Sequence, residues 1–352
     1  MFKTTFWFLA LTTAVIAEPQ LAAYRGPNAS AEVDGVARWL NRPVVWGEDT
    51  IGPESWDNIE WPTWWLEHWS GWTHAKAGRR LILGVPMLAG PTDRSGPTQG
   101  TKELKVPVSL EKGAAGDYNA HFRQLAENLV KHGLGDTILR PGWEFNGGWY
   151  AWAAKGRTAA FAEYWRQIVR TMRAVPGAKN LRFAWNPTLG EQDFPAELAW
   201  PGDAFVDYVA LDVYDETWTP DTYPWPQGAD AKVIAARQRK VWAEWTYGSP
   251  RGLRFWRDLA LAHGKPLAIP EWGVKEQNAP GEAQHGGLDD PYFVEQMHAF
   301  VNDPANHVAF HCYFDVDCPP PVGMHRLTPG PKGEPSRFPA SSARFRQLFL
   351  VK

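Results

Sequence analysis

Cysteine is almost absent from this sequence. Only Cys312 and Cys318 occur among 352 residues, which excludes a small scaffold stapled by several disulfides and a zinc site built from cysteines. Because no histidine and cysteine cluster has metal-ligand spacing, we expect neither a metal nor a cofactor. The short separation of the two cysteines permits one local disulfide in an exported chain. We expect that bond to form, with two buried free thiols as the alternative.

An excess of charge of one sign is also missing. Lys and Arg number 36 against 39 Asp and Glu, so the formal net charge is −3. Proteins that neutralise a phosphate backbone carry basic stripes or blocks, and none occurs here. We therefore expect no nucleic-acid partner, and we expect a monomer.

Long hydrophobic runs are confined to the N-terminus. Lys3 precedes the apolar run FWFLALTTAVIA, which ends in the small residue Ala17, and this order is typical of a secretory signal peptide. A membrane anchor is the alternative, but spanning a bilayer takes about 20 apolar residues and this run is shorter. We expect residues 1–17 to be removed, which leaves residues 18–352 as a secreted or periplasmic protein without membrane contact.

Tryptophan, by contrast, is abundant. The chain has 21 Trp against 17 Phe and 10 Tyr, although Trp is rarely the first choice for an ordinary core. An indole offers a flat apolar face and one polar N–H group, which suits a sugar ring. The composition therefore favours a carbohydrate ligand.

Short apolar runs alternate with segments of helical period after the N-terminus. This alternation predicts βα units around a parallel sheet, and eight units make a (β/α)8 TIM barrel in a single catalytic domain the expected fold. An open doubly wound sheet is the alternative, but no early strand is followed by a glycine-rich phosphate turn. The strands are expected at 21–25, 44–48, 81–87, 137–140, 181–186, 206–214, 267–271 and 308–314.

Helices and two long loops complete the predicted barrel. Phe161, Trp165, Ile168 and Met172 recur at helical spacing and mark one buried stripe. Helices are expected at 118–132, 158–175, 253–263, 292–301 and near 342–350. The loops at 89–116 and 215–251 are long, and long loops at the carboxyl face of a barrel usually build the active site.

Two glutamates end predicted strands inside clusters of Trp and Gly. Glu144 follows strand four in LRPGWEFNGGWYAW, and Glu271 ends strand seven in KPLAIPEWGV. Strands four and seven lie on opposite sides of an eight-stranded barrel, so the two carboxyl groups can face each other across its mouth. Cleavage of a glycosidic bond needs one acid to protonate the leaving oxygen and one carboxylate to attack or to activate water.

These segments resemble the retaining (β/α)8 glycoside hydrolases of clan A, and most closely glycoside hydrolase family 26, which is best known for β-mannanases. The resemblance rests on RPGWEFNGGWYAW (140–152), FAWNP (183–187), VDYVALDVYD (206–215) and KPLAIPEWG (265–273). It implies a secreted endo-β-glycan hydrolase that works by double displacement on a polysaccharide or oligosaccharide. Glu144 would then be the acid/base, Glu271 the nucleophile and Tyr214 the hydroxyl that orients the nucleophile.

The sequence departs from the family pattern beside the acid/base. Family 26 mannanases usually carry His immediately before this glutamate, whereas this sequence has Trp143. We expect Trp143 to shift the sugar in the cleavage subsite or to replace a polar contact with stacking.

Several further residues near the predicted mouth are candidates for sugar contacts. Three residues have a structural role as the alternative. Asp212 could equally be a buried hydrogen-bonded strand residue, and Asn186 could equally form a turn before Pro187. Arg140 could form a structural ion pair rather than orient one of the carboxylates. Trp165 and Trp256 lie on apolar helical stripes and are expected in the core. The candidates are Asn146, Trp149, Trp152, Asn186, Asp212, Trp218, Trp225 and Trp272.

Two other functions fit part of this pattern. The same clan geometry serves exo-glycosidases, transglycosylases and hydrolases of glucan, xylan or exopolysaccharide. A non-catalytic carbohydrate-binding barrel would explain the Trp content but not the two carboxyl groups. A serine hydrolase is disfavoured because the sequence has no G-x-S-x-G elbow.

Overall fold

A closed barrel of eight parallel strands forms the centre of the molecule. The computed structural model describes residues 18–61, 63–90, 107–276, 285–318, 322–330 and 332–350. Each strand pairs with the next in chain order, and β8 pairs with β1, so the predicted TIM barrel is confirmed. The strands are β1 Gln20–Tyr24, β2 Trp46–Thr50, β3 Arg80–Val85, β4 Ile138–Pro141, β5 Arg182–Trp185, β6 Tyr208–Tyr214, β7 Leu267–Gly273 and β8 Val308–Phe314.

Helices surround the barrel and cover its outer face. Phe161, Trp165, Ile168 and Met172 are fully buried, so the predicted stripe packs inward, and Trp256 is buried as expected. The α-helices are α1 Ser30–Leu40, α2 Trp56–Ile59, α3 Thr63–His74, α4 Leu110–Ala115, α5 Asn119–Lys131, α6 Thr158–Arg173, α7 Ala231–Val241, α8 Leu253–Ala262, α9 Pro291–Asn302 and α10 Pro339–Phe349.

Parts of two predictions fall outside the described residues. The expected signal peptide at 1–17 is one, and residues 91–106 of the long loop after β3 are the other. The long loop after β6 contains α7 and a single turn of π-helix at Trp242–Thr246. Among the helices of the described ranges, none combines the length and the apolar character needed to cross a membrane.

The interior of the barrel changes from apolar to polar along its axis. In the apolar part of the interior, the ring of Phe310 packs against the rings of Trp46 and Tyr208. Small side chains such as Ala184 and Ala210 belong to the same cluster. Further toward the carboxyl ends of the strands, buried polar side chains replace this packing; they are Glu48, Arg140, Asn186, Asp212 and Glu271.

The prediction of a disulfide between Cys312 and Cys318 is wrong. Both Cys312 and Cys318 are free thiols. Cys312 is fully buried among the apolar residues inside the barrel, whereas Cys318 lies in the loop after β8 and faces the cleft at the barrel mouth. The alternation of side chains along β8 directs Cys312 into the barrel and away from that loop, which the spacing alone could not show.

A pair of buried acids joins the end of β6 to the start of α9. Asp215 and Asp290 are near enough for each carboxyl group to affect the pKa of the other. Asp290 also caps α9 by accepting the N–H groups of Tyr292 and Phe293 at 2.9 and 3.1 Å. Burial raises the pKa of Asp215 well above its usual range, and burial raises the pKa of Asp290 to about 7. The pair therefore holds a proton in the folded protein.

This shared proton predicts how stability depends on pH. In the unfolded chain an Asp carboxyl group has its ordinary pKa near 3.8. Between that pH and about 7 the folded state therefore binds more protons than the unfolded state, so the free energy of unfolding falls as the pH rises. Asp215→Asn supplies an amide donor that needs no proton. We expect its free energy of unfolding to fall less than that of the native protein between pH 5 and 7, where one linked proton contributes about 1.4 kcal/mol per pH unit.

Urea unfolding at pH 5, 6 and 7 measures this difference. Asp258→Asn is the control because that side chain is 58% exposed, and it should keep the native pH dependence. An Asp215→Asn protein whose unfolding free energy changes with pH as steeply as that of the native protein would contradict the shared proton.

Candidate active site

A cleft of about 870 Å³ opens at the carboxyl ends of the strands. Its volume falls within the range of about 300–1,000 Å³ that ligand sites usually have. Glu144 and Glu271 both line it, together with an unusual number of aromatic side chains. Those aromatic side chains are Tyr24, Trp143, Trp149, Tyr150, Tyr214, Trp218, Trp245 and Phe314.

Glu144 is presented on a tight turn directly after β4. Gly142 has φ +58°, and a Cβ there would lie 2.4 Å from the sulfur of Met87, so a larger residue would be strained and would displace the Met87 side chain. Glu144 itself has φ +52°, a left-handed conformation that is strained for a residue with a side chain. Its N–H group donates to the carbonyl of Asn186 at 2.7 Å. The turn is therefore held against the end of β5.

The surroundings of Glu144 favour its protonated form. Burial raises the pKa of Glu144 to about 7, and the nearby charge of Glu271 adds to this rise. Trp149 and Arg140 act in the opposite direction, since the Trp149 Nε1–H donates to Glu144 Oε2 at 2.7 Å. A carboxyl group with a pKa near 7 can donate a proton at neutral pH.

Glu271 has hydrogen-bond donors on both carboxyl oxygens. Arg140 Nη2 lies 2.8 Å from Oε1, and the Tyr214 hydroxyl donates to Oε2 at 2.7 Å. Donors on both oxygens favour a carboxylate over a carboxylic acid. Glu271 therefore differs from Glu144, whose carboxyl group accepts from the Trp149 indole N–H.

Arg140 is the buried cation that connects these groups. Its side chain is fully buried and contacts residues on four other strands or strand ends. Burial opposes the charge, but the neighbouring carboxylates raise the pKa of Arg140 further above its usual range. Its Nε donates to Asn186 Oδ1 at 2.6 Å, and its Nη1 donates to Glu48. Its Nη2 donates to Asp212 Oδ2 at 2.8 Å and also to Glu271. Arg140 thus both connects these buried side chains by hydrogen bonds and orients Glu271.

The structure brings five of the predicted side chains to the cleft beside Glu271. Trp218 is 56% exposed and stacks against His285 at a centroid distance of 4.8 Å. Trp143 is almost fully buried at the edge of the cleft, and its Nε1–H donates to the Tyr150 hydroxyl at 3.0 Å. The five are Trp143, Glu144, Trp149, Tyr214 and Trp218.

Two predicted sugar-contacting tryptophans are core residues instead. Trp152 is fully buried and donates to the Trp143 carbonyl at 2.8 Å. Trp272 is fully buried, donates to His311 Nδ1 at 3.1 Å and packs against Phe345 of α10. Both were expected in mouth loops, but Trp272 belongs to β7 itself. Neither ring faces the cleft.

The remaining polar candidates support the site from within. Asn146 is fully buried and makes two hydrogen bonds of 2.9 Å with the backbone of Thr188. Asn186 and Asp212 are fully buried against Arg140. Trp225 packs edge-on against Tyr223 and is not among the cleft residues. None of these four side chains lines the cleft.

Several site residues were missed by the sequence analysis. Glu48 ends β2 in WGEDT, so a carboxylate near the carboxyl end of a barrel strand was the available signal. Lys275 and Glu216 form an ion pair on the wall of the cleft, and the loop residues Trp245 and His285 also line it. No motif distinguished these four from ordinary loop residues.

The described residues contain no group of three or more His, Cys, Asp or Glu side chains arranged to hold a metal ion. His325 faces the cleft, and burial lowers its pKa to about 3, so it is neutral. Of the acids that line the cleft, Glu144 is favoured in its protonated form and Glu271 accepts a donor on each oxygen.

Fold and site together define a (β/α)8 barrel with two carboxyl groups in an aromatic cleft. Residues 100–236 match the model of glycosyl hydrolase family 26, which confirms the predicted resemblance to that family of glycoside hydrolases.

A mannan endo-1,4-β-mannosidase of Bifidobacterium adolescentis is 28% identical over 47% of this chain and 15% of its own length. One of Bacillus subtilis is 33% identical over 27% of this chain and 28% of its own length. The matched segments thus span less than a third of either relative.

Solved structures agree on the fold. An endo-β-1,4-mannanase of Cellulomonas fimi is similar with a TM-score of 0.58 at 20% identity, over 94% of this chain and 70% of that one. The catalytic domain of an endo-β-1,4-mannanase from Bacillus sp. JAMB-750 gives 0.59 at 19% identity, over 94% and 85%. At this level of identity the similarity extends to the barrel fold alone.

The contact between Trp149 and Glu144 predicts a measurable change in pKa. The indole N–H group stabilises the ionised carboxylate, so Trp149→Phe, which keeps an aromatic ring but loses the donor, should raise the pKa of Glu144 by about one unit. Carbon NMR titration of the glutamate carboxyl carbons measures this shift. Trp218→Phe is the control, because Trp218 packs on His285. A lower or unchanged pKa in Trp149→Phe would contradict the assigned contact.

Proposed function

We propose that this protein is an exported, retaining endo-β-glycan hydrolase of the β-mannanase type. The observation that carries the proposal is that Glu144 and Glu271, from opposite sides of the barrel, line one cleft in unlike environments. One is set to hold a proton and the other to remain a carboxylate. That division of roles is what glycosidic bond cleavage requires.

In the first step, Glu271 attacks the anomeric carbon while Glu144 gives its proton to the glycosidic oxygen. The carbon–oxygen bond to the leaving sugar breaks, and an ester forms between Glu271 and the retained sugar. Tyr214 and Arg140 hold the two oxygens of Glu271, which aligns the carboxylate for attack.

In the second step, Glu144 acts as a base. Now ionised, it takes a proton from a water molecule that attacks the anomeric carbon from the opposite face, and the ester bond to Glu271 breaks. Two inversions restore the original anomeric configuration, and Glu144 is again protonated.

The substrate class follows from the lining of the cleft and from the relatives. Exposed Trp218 and half-buried Trp149 offer flat apolar surfaces for sugar rings, while Trp143 lines the cleft but is almost fully buried. The volume of about 870 Å³ gives room for more than one sugar unit, which supports cleavage within a chain. Because the matched relatives are mannan endo-1,4-β-mannosidases, β-mannan is the first substrate to test, with glucans and xylans beside it.

The two glutamates are expected to respond differently to substitution. Glu271→Ala removes the nucleophile, so glycosyl transfer to the enzyme stops, and azide entering from the vacated face gives a product of inverted configuration. Glu144→Ala spares activated aryl glycosides, whose leaving groups need no proton, while natural glycans lose several orders of magnitude in kcat/KM. Azide then restores the second step with retained configuration.

Proton NMR of the azide products and kinetics on both substrate types measure these effects. The native enzyme on β-mannan provides the reference and should give a product that retains the anomeric configuration. Equal losses on activated and natural substrates in both variants, with the same azide product, would contradict the assigned roles.

The charge of the cleft predicts a preference for uncharged glycans. Its lining includes four acidic residues, of which Glu144 is held protonated, and one lysine, which is already paired with Glu216. We expect kcat/KM on polyuronic acids at low salt to be lower than on β-mannan by about tenfold or more, because like charges repel the substrate. Added salt should reduce this penalty and leave mannan unaffected. Equal rates on both polymers at low salt would contradict the preference. The four acidic residues are Glu144, Asp193, Glu216 and Glu271.

Export and the monomeric state are part of the same proposal. N-terminal sequencing of the protein recovered from its native host should find Glu18 as the first residue. A mature protein that still carries residues 1–17 would contradict export by a cleaved signal peptide.

A further inference from the structure

The carboxyl end of the barrel interior holds three acids around one guanidinium. Arg140 contacts Glu48 from β2, Asp212 from β6 and Glu271 from β7. Glu48, Asp212 and Arg140 are essentially inaccessible, and the Glu271 side chain is 12% exposed. If all three acids were ionised, one positive charge would face three negative ones. An uncompensated charge in such a site is costly, and it is avoided when acids take up protons.

Hydrogen-bond donors distinguish the three acids. Both oxygens of Glu271 accept a donor, from Arg140 and from Tyr214. Glu48 and Asp212 each turn one oxygen to Arg140. Their other oxygens, Glu48 Oε2 and Asp212 Oδ1, are buried and have no hydrogen-bond partner among the residues that the structure describes. An ionised carboxylate needs donors on both oxygens more than a neutral acid does.

We infer that Glu48 and Asp212 are neutral carboxylic acids in the working protein, so that the charge of Arg140 is matched by Glu271 alone. The protons reside on Glu48 Oε2 and Asp212 Oδ1, and the oxygens facing Arg140 act as carbonyl-type acceptors. Glu48 and Asp212 are then positioning residues, since they hold the guanidinium without competing for its charge. This role rests on the proposed function of Glu271 as nucleophile, whereas the protonation states do not.

The environment of both acids agrees with this assignment. Burial raises the pKa of Glu48 to about 8 and raises the pKa of Asp212 well above its usual range; in both cases Arg140 opposes the rise and Glu271 adds to it. The Cys312 thiol, beside Glu48, is itself neutral because burial raises its pKa. The titratable groups that face the two acids are Tyr24, Arg140, Glu144, Tyr150, Tyr214, Glu271 and Cys312.

Infrared difference spectroscopy tests the protonation states without any substrate. A protonated carboxyl group has a carbonyl stretch well separated from the carboxylate bands, and it shifts in D₂O. At pH 6 the native protein should show such bands, and Glu48→Gln and Asp212→Asn should each lose one of them. Glu197→Gln is the matched control. Arg251 pairs with Glu197 and keeps its pKa below the usual range, so this variant should lose no band.

The acid side of the pH profile of kcat/KM provides a second readout, because it reports the protonation of Glu271. If Glu48 is neutral, replacing it with the neutral amide in Glu48→Gln moves this midpoint by less than about half a pH unit. If Glu48 is ionised, removing its charge lowers the midpoint by about one unit or more. Glu48→Ala should lose at least about tenfold more kcat/KM than Glu48→Gln, because it leaves Arg140 Nη1 without an acceptor.

The outcomes separate this inference from the proposed function. Native protein without protonated carboxyl bands at pH 6, or a band retained in either Glu48→Gln or Asp212→Asn, overturns the neutral pair. A midpoint lowered by a unit in Glu48→Gln overturns it as well. Bands lost as expected in a protein that cleaves no glycan would uphold the protonation states and reject the hydrolase.

Discussion

The buried guanidinium of Arg140 is the interaction on which the rest of the site depends. A permanent charge inside a barrel must be matched by acids and satisfied by acceptors. Here β2, β6 and β7 supply the acids, and Asn186 at the end of β5 supplies an amide oxygen. One side chain from β4 therefore ties together the carboxyl ends of strands around most of the barrel. It also fixes the position of Glu271 relative to the turn that carries Glu144.

That turn gives the second carboxyl group its different character. Glu144 sits in a left-handed conformation, and its backbone is held by Asn186, the same residue that accepts from Arg140. Its side chain faces the indole of Trp149 rather than a cation. The two glutamates, similar in sequence context, thus meet unlike donors, since Glu271 accepts from a guanidinium and a hydroxyl group and Glu144 accepts from an indole. This asymmetry is what a mechanism with one acid and one nucleophile needs.

The sequence predicted most strands well because they are short apolar runs that the barrel buries on both faces. The exception is β2, WGEDT, which is largely polar and begins two residues after the predicted start. The sequence predicted the two cleft glutamates because both end apolar runs. The sequence-based prediction for Trp272 failed because of an irregularity in β7. Pro270 precedes Glu271 there, and the register of β7 with β8 shifts between Ile269 and Trp272. This shift turns the indole of Trp272 toward the helices. The sequence analysis also missed Glu48 and misjudged Cys312. Their roles depend on which side chains meet inside the closed barrel, and no local pattern records that.

Trapping the covalent intermediate tests the central claim most directly. A 2-deoxy-2-fluoro mannoside with an activated leaving group forms the glycosyl-enzyme and slows its hydrolysis, so that the adduct can be located by mass spectrometry of proteolytic peptides. The account predicts one sugar per protein, attached to the peptide that contains Glu271 and absent from Glu271→Ala. An adduct on Glu144 or on Glu48, or the absence of any adduct, in protein that still cleaves mannan would contradict it.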